Sequence, residues 1–507
     1  MRSIGFTLII AVNLVACVPL VSPGGAPPLP TVPLEAVFIL TPTTAPTANP
    51  TPRPLPTMKP TPAACRRFVP DLEAPIPLPD LASLSWQTLS IPGQHVHQFT
   101  GFKYPVFPLQ SSPDGRWVQI ALEFHPDVYI NAAKAIIDTQ DKAHQWLDTE
   151  TFFYLDDYFA PYYHPRSPWL PDGRLLWGEG DKIFFGNPQN PQILEPPEPI
   201  GELQYATEDI AFARTVREGD LWRVDLRSGK WEKVTTPRPP RVGNLGNFFT
   251  LAWNGFYGIA FQEGQMWRIP TQMGAVAEPL PDVSVRIIGR GGGPNPTGEL
   301  ANSPYWLIGS PTEETGEGFI VDLRNGHVIT PGDLGLTSYR FREASLSPQG
   351  HWLTITLSPT GRNDPNLDLY IAPSEDLKAG YVLKGVSVAG WQADPPAVIL
   401  KDNTTSALQV MRLPLSSTPS YIPLPDAKPP IATLPNAIFT VDIGSPAQLL
   451  QFDRDGKLVR TLDLSMYYTE IYAIKGAIDR VFIGATSNRP EKDGACTYAL
   501  IEWAVGP

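Results

Sequence analysis

Short apolar runs alternate with turn residues over most of the chain, at a spacing of about 45 residues. The stretch Ser111–Phe124, SSPDGRWVQIALEF, places a Pro-Asp-Gly turn directly before an apolar run. Leu170–Trp177 and Leu346–Ile355 repeat this arrangement, and Trp253–Ile259 is a looser copy. Because Asp and Asn bond their own backbone and Gly accepts a positive φ, each copy predicts a tight turn followed by a strand. Asp114 is therefore interpreted as a turn residue and not as a catalytic one.

A second element recurs downstream of each turn. Val224–Gly229 matches Val321–Gly326, and Ile137–Lys142 and Phe452–Lys457 are looser versions. Each lies between two β-prone runs and carries a hairpin signal. The repeating unit is therefore strand, turn, strand, strand, hairpin, strand, with no amphipathic helix after residue 80, and this pattern predicts an all-β protein of the β-propeller type.

The Pro-Asp-Gly units resemble TolB-like, WD-type propeller repeats over most of the chain after residue 100. This resemblance implies a fold and no particular function. Nine windows can be marked, near residues 101–150, 160–197, 203–236, 246–280, 283–331, 342–385, 386–424, 434–465 and 469–504. Propellers usually have about four to eight blades. We therefore expect a single propeller of about eight four-stranded blades, with seven as the next choice and one window as an insertion or a shared blade.

The ends of the repeat region suggest how the propeller closes. The last window offers only three good strands, and the run Ser83–Ile91 lacks partners of its own. We predict that this N-terminal run supplies the outer fourth strand, which would leave no open sheet edge. Cys65 and Cys496 would then lie near the seam and form a disulfide. The alternative is two reduced or separately buried thiols.

The N-terminal residues resemble a targeting signal. An apolar run, Ile4–Val12, follows Arg2 and has the length of a signal-peptide core. It leads into Leu14–Cys17, which resembles the lipobox of bacterial lipoproteins. The resemblance implies that residues 1–16 are a signal peptide and that Cys17 becomes the lipid-attachment residue. An ordinary signal peptide with a chance Cys, or an uncleaved anchor, is the alternative.

Residues 17–64 are predicted to be the lipid-attachment Cys followed by a disordered tether. Val18–Ala64 contains 14 Pro and 8 Thr in 47 residues, so it cannot bury enough apolar surface to order itself. A Pro-rich chain extends by roughly 3.1 Å per residue. We expect it to hold the propeller, residues 65–507, away from a bacterial membrane in an extracytoplasmic compartment.

Charge and motifs exclude several function classes. The net charge of −12 over 507 residues offers no basic footprint for nucleic acid. There is no G-x-S-x-G elbow, no H-E-x-x-H motif and no paired C-x-x-C, so no catalytic residue, metal site or cofactor is predicted. His95 and His97 lack a third ligand, and Asp453–Gly456 resembles only half of a calcium loop and is interpreted as a hairpin turn.

The sharpest enzymatic alternative is a propeller glycosidase, which uses two or three carboxylates around the central funnel. Asn363–Asn366 reads NDPN, the core motif of the sucrose- and fructan-cleaving propeller family, in which that Asp is the nucleophile. The companion Arg-Asp-Pro and Glu-Cys motifs of that family are absent. The segment is therefore interpreted as an ordinary turn.

One segment is typical of a binding loop. Thr151–Trp169 reads TFFYLDDYFAPYYHPRSPW and falls between the first two windows. Aromatic faces beside carboxylates suit sugar rings or a protein partner, although the rings could instead pack the first blades together. The candidate ligand-binding residues are Tyr154, Asp156, Asp157, Tyr158, Tyr162, Tyr163, His164 and Trp169.

These observations favour a non-enzymatic role. The chain is predicted to be a membrane-tethered lipoprotein that binds or scaffolds a protein or glycan partner. A hydrolase acting on carbohydrate in the funnel is the alternative, and a lipoprotein that assembles membrane proteins is a third possibility. Two or three carboxylates clustered in the funnel would distinguish the hydrolase from the binding module.

Overall fold

The computed structural model places a series of β-sheets in the second of the two units into which the chain divides, Pro62–Pro507. No helix among the described residues is long and apolar enough to cross a membrane. The structure describes residues 65–66, 81, 84, 86–123, 132–140, 144–147, 169–170, 172–179, 182–205, 209–215, 221–234, 248–249, 256–260, 266–279, 305–308, 318–322, 324–347, 349–360, 367–393, 396–414, 420–490 and 494–505.

Nine sheets form from these residues, and we number them in chain order. Two early strands, β1 (Trp86–Leu89) and β2 (His95–Phe102), belong to sheet 9. Sheets 1 and 2 contain β3 (Val106–Ser111), β4 (Trp117–Glu123), β5 (Ala132–Asp138) and β6 (His144–Leu147), then β7 (Leu175–Glu179), β8 (Lys182–Gly186) and β9 (Gln192–Leu194). Sheet 3 contains β10 (Ile200–Tyr205), β11 (Ile210–Thr215), β12 (Leu221–Asp225) and β13 (Lys230–Lys233).

The middle of the chain continues the series. Sheet 4 contains β14 (Phe248–Phe249), β15 (Phe256–Ala260), β16 (Met266–Pro270) and β17 (Glu278–Pro279). Sheet 5 contains β18 (Tyr305–Ile308), β19 (Phe319–Asp322) and β20 (His327–Ile329). Sheet 6 contains β21 (Tyr339–Leu346), β22 (Trp352–Pro359), β23 (Asp368–Pro373) and β24 (Tyr381–Leu383), and short 3₁₀ helices form at Gly332–Leu334 and Leu377–Ala379.

The last three sheets end the chain. Sheet 7 contains β25 (Val386–Gln392), β26 (Ala397–Asp402), β27 (Leu408–Arg412) and β28 (Tyr421–Leu424). Sheet 8 contains β29 (Ala427–Leu434), β30 (Ala437–Asp442), β31 (Gln448–Asp453) and β32 (Leu458–Asp463). Sheet 9 contains β33 (Tyr468–Ala477), β34 (Arg480–Ser487) and β35 (Tyr498–Ala504), followed in space by β2 and β1.

The architecture is all-β and of the propeller type, because eight of the nine described sheets are antiparallel meanders of strands consecutive in sequence. The described residues give nine sheets where the sequence led us to expect about eight blades. Each of the nine sequence windows contains strands of a different sheet. Sheets 2 and 5 show three strands each in the described part of the chain.

Turn chemistry accounts for the start of each strand pair. The Arg116 backbone N–H donates to Asp114 Oδ1 at 3.1 Å, and Gly115 has a φ of +68°. In the hairpin between β31 and β32, the backbone N–H groups of Asp455 and Lys457 both donate to Asp453 Oδ1 at 2.9 Å. Both aspartates therefore stabilise turns by accepting backbone hydrogen bonds, as the sequence predicted.

The hydrophobic core is divided among the interfaces between sheets. Each of seven apolar clusters draws its buried residues from two sheets that are consecutive in the series, and one of them joins sheet 9 to sheet 1. Representative buried members are Trp117 and Leu175 for sheets 1 and 2, Leu194 and Val224 for 2 and 3, Ile320 and Phe341 for 5 and 6, Ile371 and Val398 for 6 and 7, Val410 and Ile438 for 7 and 8, Phe439 and Trp503 for 8 and 9, and Phe482 and Ile120 for 9 and 1.

Arginines connect the two remaining pairs of neighbouring sheets. Arg223 on β12 is fully buried; its guanidinium donates to the carbonyls of Gln272 and Ala275 in sheet 4 and contacts Glu232 Oε1 at 3.2 Å. Arg268 on β16 likewise donates to the Arg324 carbonyl of sheet 5 at 2.6 Å. The described contacts thus link every sheet to the next, and sheet 9 to sheet 1.

Sheet 9 combines the two ends of the described region, but with a different N-terminal strand from the one expected. β2 pairs with β35 along its length, from His95 opposite Ala504 to Phe102 opposite Tyr498, and β1 adds a fifth strand outside it. The predicted run Ser83–Ile91 is therefore not the fourth strand. The physical reason is burial: Val96, Phe99 and Phe102 of β2 are fully buried, whereas Leu89 is the buried residue of β1.

A disulfide joins Cys65 to Cys496 across 431 residues of sequence, as predicted. Around it, the Arg66 N–H donates to the Gly494 carbonyl at 2.9 Å, and the Cys496 N–H donates to the Arg66 carbonyl at 2.8 Å. The first described residues are thereby fixed to the segment between β34 and β35.

Sheets 9 and 1 approach each other closely at their first strands. The Tyr472 hydroxyl accepts from the Val106 N–H at 2.7 Å and donates to the Val106 carbonyl at 3.1 Å. Gly484 lies so close that a Cβ atom there would stand 2.3 Å from the same carbonyl oxygen. A side chain at position 484 would therefore push the two sheets apart.

Removing the disulfide should lower stability without changing the fold. For the double variant Cys65→Ala/Cys496→Ala we expect the free energy of unfolding to fall by about 2–5 kcal/mol, because the bond closes a very long loop of the unfolded chain. Chemical denaturation of the purified full chain measures this. Two thiols from this pair that react under non-reducing, denaturing conditions would contradict the bond itself.

Gly484→Ala should destabilise the contact between sheets 9 and 1 by roughly 1–3 kcal/mol, the range for an overpacked buried position. Gly390→Ala is the matched control, since Gly390 also lies in a strand but a Cβ there would meet its nearest atom at an ordinary 3.5 Å. Thermal unfolding of both variants tests the contact, and equal melting temperatures would contradict it.

Candidate functional site

Most of the predicted ligand-binding segment lies outside the described residues. This applies to Tyr154, Asp156, Asp157, Tyr158, Tyr162, Tyr163 and His164, and to the NDPN segment at 363–366. Trp169, the last residue of the aromatic segment, is described. A ligand-binding role for the segment therefore stays a prediction, and Trp169 shows where its C-terminal end is attached.

Trp169 connects sheet 2 to sheet 1. It directly precedes the turn in which the Leu170 N–H donates to the Arg174 carbonyl at 2.9 Å. Its own backbone N–H donates to Gln110 Oε1 at 3.3 Å, and the Gln110 amide donates to Gln119 Oε1 at 2.5 Å. Both glutamines are buried on strands of sheet 1. Sequence reasoning missed them, and their only signal is an amide at positions where the strand pattern is otherwise apolar.

An aromatic cluster surrounds this attachment. Trp117 and Trp177 are buried with Ile136 and Leu175 between sheets 1 and 2, and Trp169 packs against them. Trp177 also stacks on Phe184 with ring centroids 5.4 Å apart. This packing is the structural role that the sequence analysis held open for the aromatic segment, and it applies to Trp169.

Three indole donors in the cluster lack acceptors. The Nε1–H groups of Trp117, Trp169 and Trp177 are buried and have no hydrogen-bond partner among the described residues. A buried donor without a partner costs roughly 1–3 kcal/mol.

The buried carboxylates of the described residues are all paired with cations. Asp138 accepts from Arg116 Nη2 at 2.7 Å, Asp322 pairs with Arg324 and Asp368 with Lys384, and Glu502 with Arg480. None of the four lies on the first strand of its sheet. These four carboxylates therefore support strands and turns.

Three different residues donate hydrogen bonds to the Asp368 carboxylate. Asp368 Oδ2 accepts from the Tyr339 hydroxyl and from Lys384 Nζ, both at 2.9 Å, while Oδ1 accepts from the Gly385 N–H. Burial raises the pKa of the Tyr339 phenol above its ordinary 10.0. The arrangement ties the starts of β21 and β23 to the end of β24, and its phenol stays protonated at neutral pH.

Glu502 lies in the seam between the chain ends. Its carboxylate accepts from Arg480 Nη1 at 2.6 Å, and its backbone stands opposite His97 of β2 in the strand register. Burial raises the pKa of the Glu502 carboxyl above its ordinary 4.5, and the Arg480 guanidinium opposes part of that rise. The folded protein therefore holds a proton on Glu502 more readily than the unfolded chain does.

The two histidines of the predicted pair lie on one strand. His95 and His97 lie two residues apart on β2, and His97 Nδ1 is 3.2 Å from the Thr88 hydroxyl of β1. In the part of the chain that the structure describes, no group of three His, Cys, Asp or Glu side chains could hold a metal ion.

Comparison with known proteins finds similarity at the level of structure. No family model and no curated protein matches the chain. The Cps50 (Swd1) β-propeller domain of Myceliophteria thermophila is 12% identical, with 80% of this chain and 98% of that chain covered and a TM-score of 0.35. An oligogalacturonate lyase from Vibrio parahaemolyticus (10% identity, coverage of 83% and 96%, TM-score 0.37) and BamB from Moraxella catarrhalis (13%, 67% and 96%, 0.31) are also similar. Likenesses this remote carry no information about binding or catalysis.

Replacing Glu502 by Gln should remove one pH-dependent contribution to stability. The pKa of Glu502 is higher in the folded protein than its ordinary 4.5. The free energy of unfolding therefore falls as the pH rises above about 4.5 and Glu502 ionises. We therefore expect wild type to gain stability relative to Glu502→Gln as pH falls from about 7 to about 5. Urea unfolding at each pH measures the difference.

Glu470→Gln removes an exposed carboxylate on β33 and is the control for the loss of a charge. A difference between wild type and Glu502→Gln that does not change over this pH range would show that the buried carboxylate makes no special contribution.

Proposed function

We propose that the chain is a membrane-tethered, extracytoplasmic β-propeller lipoprotein that binds or scaffolds a protein or glycan partner. The proposed assembly is a closed ring of nine blades, with β2 as the fourth strand of the last blade and β1 outside it. Support for the ring comes from the contacts that run from sheet 1 to sheet 9 and from sheet 9 to sheet 1. The disulfide fits an extracytoplasmic compartment, where such bonds persist.

The observation that carries the binding role is the attachment of the aromatic segment. Trp169 fixes its end between sheets 1 and 2, beside three indole donors without acceptors. Segments presented by a rigid β scaffold are common binding elements. Aromatic faces with adjacent carboxylates, as in Thr151–Trp169, suit a sugar ring or a protein surface.

Membrane attachment is proposed through Cys17, with residues 1–16 removed and 18–64 as the tether. The support is the lipobox-like Leu14–Cys17 and the Pro/Thr-rich composition that follows it. The same composition keeps the propeller at a distance from its lipid and leaves its surfaces accessible.

The binding role is tested by a crosslinked pull-down of the full lipoprotein from its native envelope. A parallel sample carries Tyr154→Ala, Tyr158→Ala, Tyr162→Ala and Tyr163→Ala, and a control carries Tyr381→Phe on β24. We expect a stoichiometric partner, protein or glycan, that is lost from the first variant and kept by the control. A partner retained by the first variant would contradict the site.

Cys17→Ser should abolish lipid attachment. We expect the mature N-terminal peptide of the wild type to carry the mass of its acyl chains and the protein to sediment with membranes. The variant should lack this mass and leave the membrane fraction, because one or two acyl chains supply the membrane affinity of such a protein. Mass spectrometry and carbonate extraction distinguish these outcomes from an uncleaved anchor.

A further inference from the structure

The N-terminal end of the described region is attached to sheet 9 in two ways, by a covalent bond and by strand pairing. The disulfide joins Cys65 to Cys496, which lies two residues before β35. Further along the chain, β1 pairs with β2, and β2 pairs with β35. A pull on the chain before Cys65 therefore has two paths into the same sheet, and they differ in what the tension must break.

The path through strand pairing begins at an edge of the sheet. β1 is the outermost strand of sheet 9, has four residues, and leaves Gln87 and Thr88 exposed. Just before it, Leu81 and Leu84 pack into the apolar cluster that contains the aromatic rings of β2. An edge strand is paired on one side only, so tension that reaches β1 meets a single short row of strand pairs.

The order of the strands in sheet 9 sets the order in which this tension removes them. That order is β1, β2, β35, β34 and β33, so the first two strands of the chain are also the two outermost on their side. Once β1 leaves, β2 becomes the edge, and a hairpin of two strands is at best marginally stable by itself in water. Tension along this path therefore strips away the pairing of β2 with β35.

The covalent path leads instead to the middle of the sheet. β35 is the third of the five strands, and it pairs with β2 on one side and with β34 on the other over its whole length, Tyr498–Ala504. Its residues are buried apart from Ala504, which is partly buried. The connection before it is also held, because the Ser487 N–H donates to the Thr497 carbonyl at 2.8 Å. Detaching β35 therefore requires two rows of strand pairs to break.

We propose that the Cys65–Cys496 disulfide is a mechanical bypass. It carries tension from the chain before Cys65 directly to β35 and keeps that tension off β1 and β2. The two cysteines are 431 positions apart, so every strand before β35 lies inside a covalently closed loop that tension on the chain before Cys65 cannot extend. Without the bond, the same tension passes through Arg66 and reaches β1 first.

The source of the tension rests on the proposed function, because a pull on residues 17–64 requires a lipid on Cys17 and a partner held by the propeller. A tethered binding protein is loaded whenever its partner moves relative to the membrane. The bypass preserves the junction between the two ends of the described region under that load. The bypass itself needs no lipid, so it is tested on a chain without one.

Single-molecule force spectroscopy tests the bypass, with handles on the two ends of the full Cys17→Ser chain. In the disulfide-bonded form we expect extension only of the segments before Cys65 and after Cys496. In the disulfide-free form, Cys65→Ala/Cys496→Ala, we expect a first step at a lower force than later steps. This step should release the stretch from Arg66 to Phe102, on the order of 120 Å of extended chain. Reduction of the bond to two thiols by dithiothreitol, which itself becomes a cyclic disulfide, gives a second disulfide-free form in case the alanines impair folding.

Two substitutions on outer strands identify the strand that bears the load. The Trp86 ring of β1 lies 5.4 Å from the Phe99 ring, and its Nε1–H donates to the Asp138 carbonyl at 3.2 Å. In the disulfide-free form, Trp86→Ala should raise the rate of the first step at constant force by at least about tenfold. Tyr381→Ala on β24, the outer strand of sheet 6, is the matched control and should leave that rate unchanged.

Three results would overturn the bypass. The first is a disulfide-bonded chain that releases the stretch from Arg66 to Phe102. The second is a disulfide-free chain that unfolds in a single step with no separate release of this stretch, and the third is a first step whose rate Trp86→Ala does not change. A Cys17 peptide without lipid mass would overturn the proposed membrane attachment, whereas the extensions measured on the Cys17→Ser chain do not depend on it.

Discussion

The pairing of β2 with β35 is the constraint on which the rest of the structure depends. Every other sheet pairs strands that follow one another in sequence. Among the described strands, only this pairing joins residues about four hundred positions apart. The 3.0 Å bond from Trp503 Nε1 to Gln94 Oε1, just before β2, likewise spans 409 residues. It buries Val96 and Phe99 against the C-terminal strands and allows sheet 9 to face both sheet 8 and sheet 1. The disulfide at Cys65 reinforces the same junction from the other end of sheet 9.

Neighbouring sheets are held together in two ways, by apolar packing or by a buried arginine. Where both faces are apolar, as between Phe439 and Trp503, dispersion and removal of water from the surface hold the sheets together. Between sheets 3 and 4, Arg223 is buried and is compensated by Glu232 and by two carbonyls of the next sheet. Burying a cation costs much unless its donors find partners. The arginine therefore contributes alignment between sheets more than net stability.

Local chemistry explains which parts of the fold could be predicted from the sequence. Strand alternation and Asp-Gly turns are encoded within a few residues, so the turns at Asp114 and Asp453 follow from sequence alone. The choice of β2 over Ser83–Ile91 depends on burial against strands four hundred residues away, which no local pattern reports. The first strands also carry register shifts, as between Pro108 and Gln110 and between Phe341 and Glu343, that increase their twist. No Gly or Pro signal common to these positions marks them in advance.

The aromatic segment at the candidate site could be identified from its composition, whereas the contacts of Trp169 with sheet 1 could not. Packing of the first two sheets explains Trp169, whose ring completes a cluster already filled by Trp117, Trp177, Ile136 and Leu175. Thr151–Trp169 contains eight aromatic residues, and Trp169 is the one that lies within the described part of the chain. A turn between two strands needs Gly, Pro, Asn or Asp and has no requirement for tyrosine. We propose recognition of a partner for the tyrosines beside Asp156 and Asp157, which lie outside the described residues.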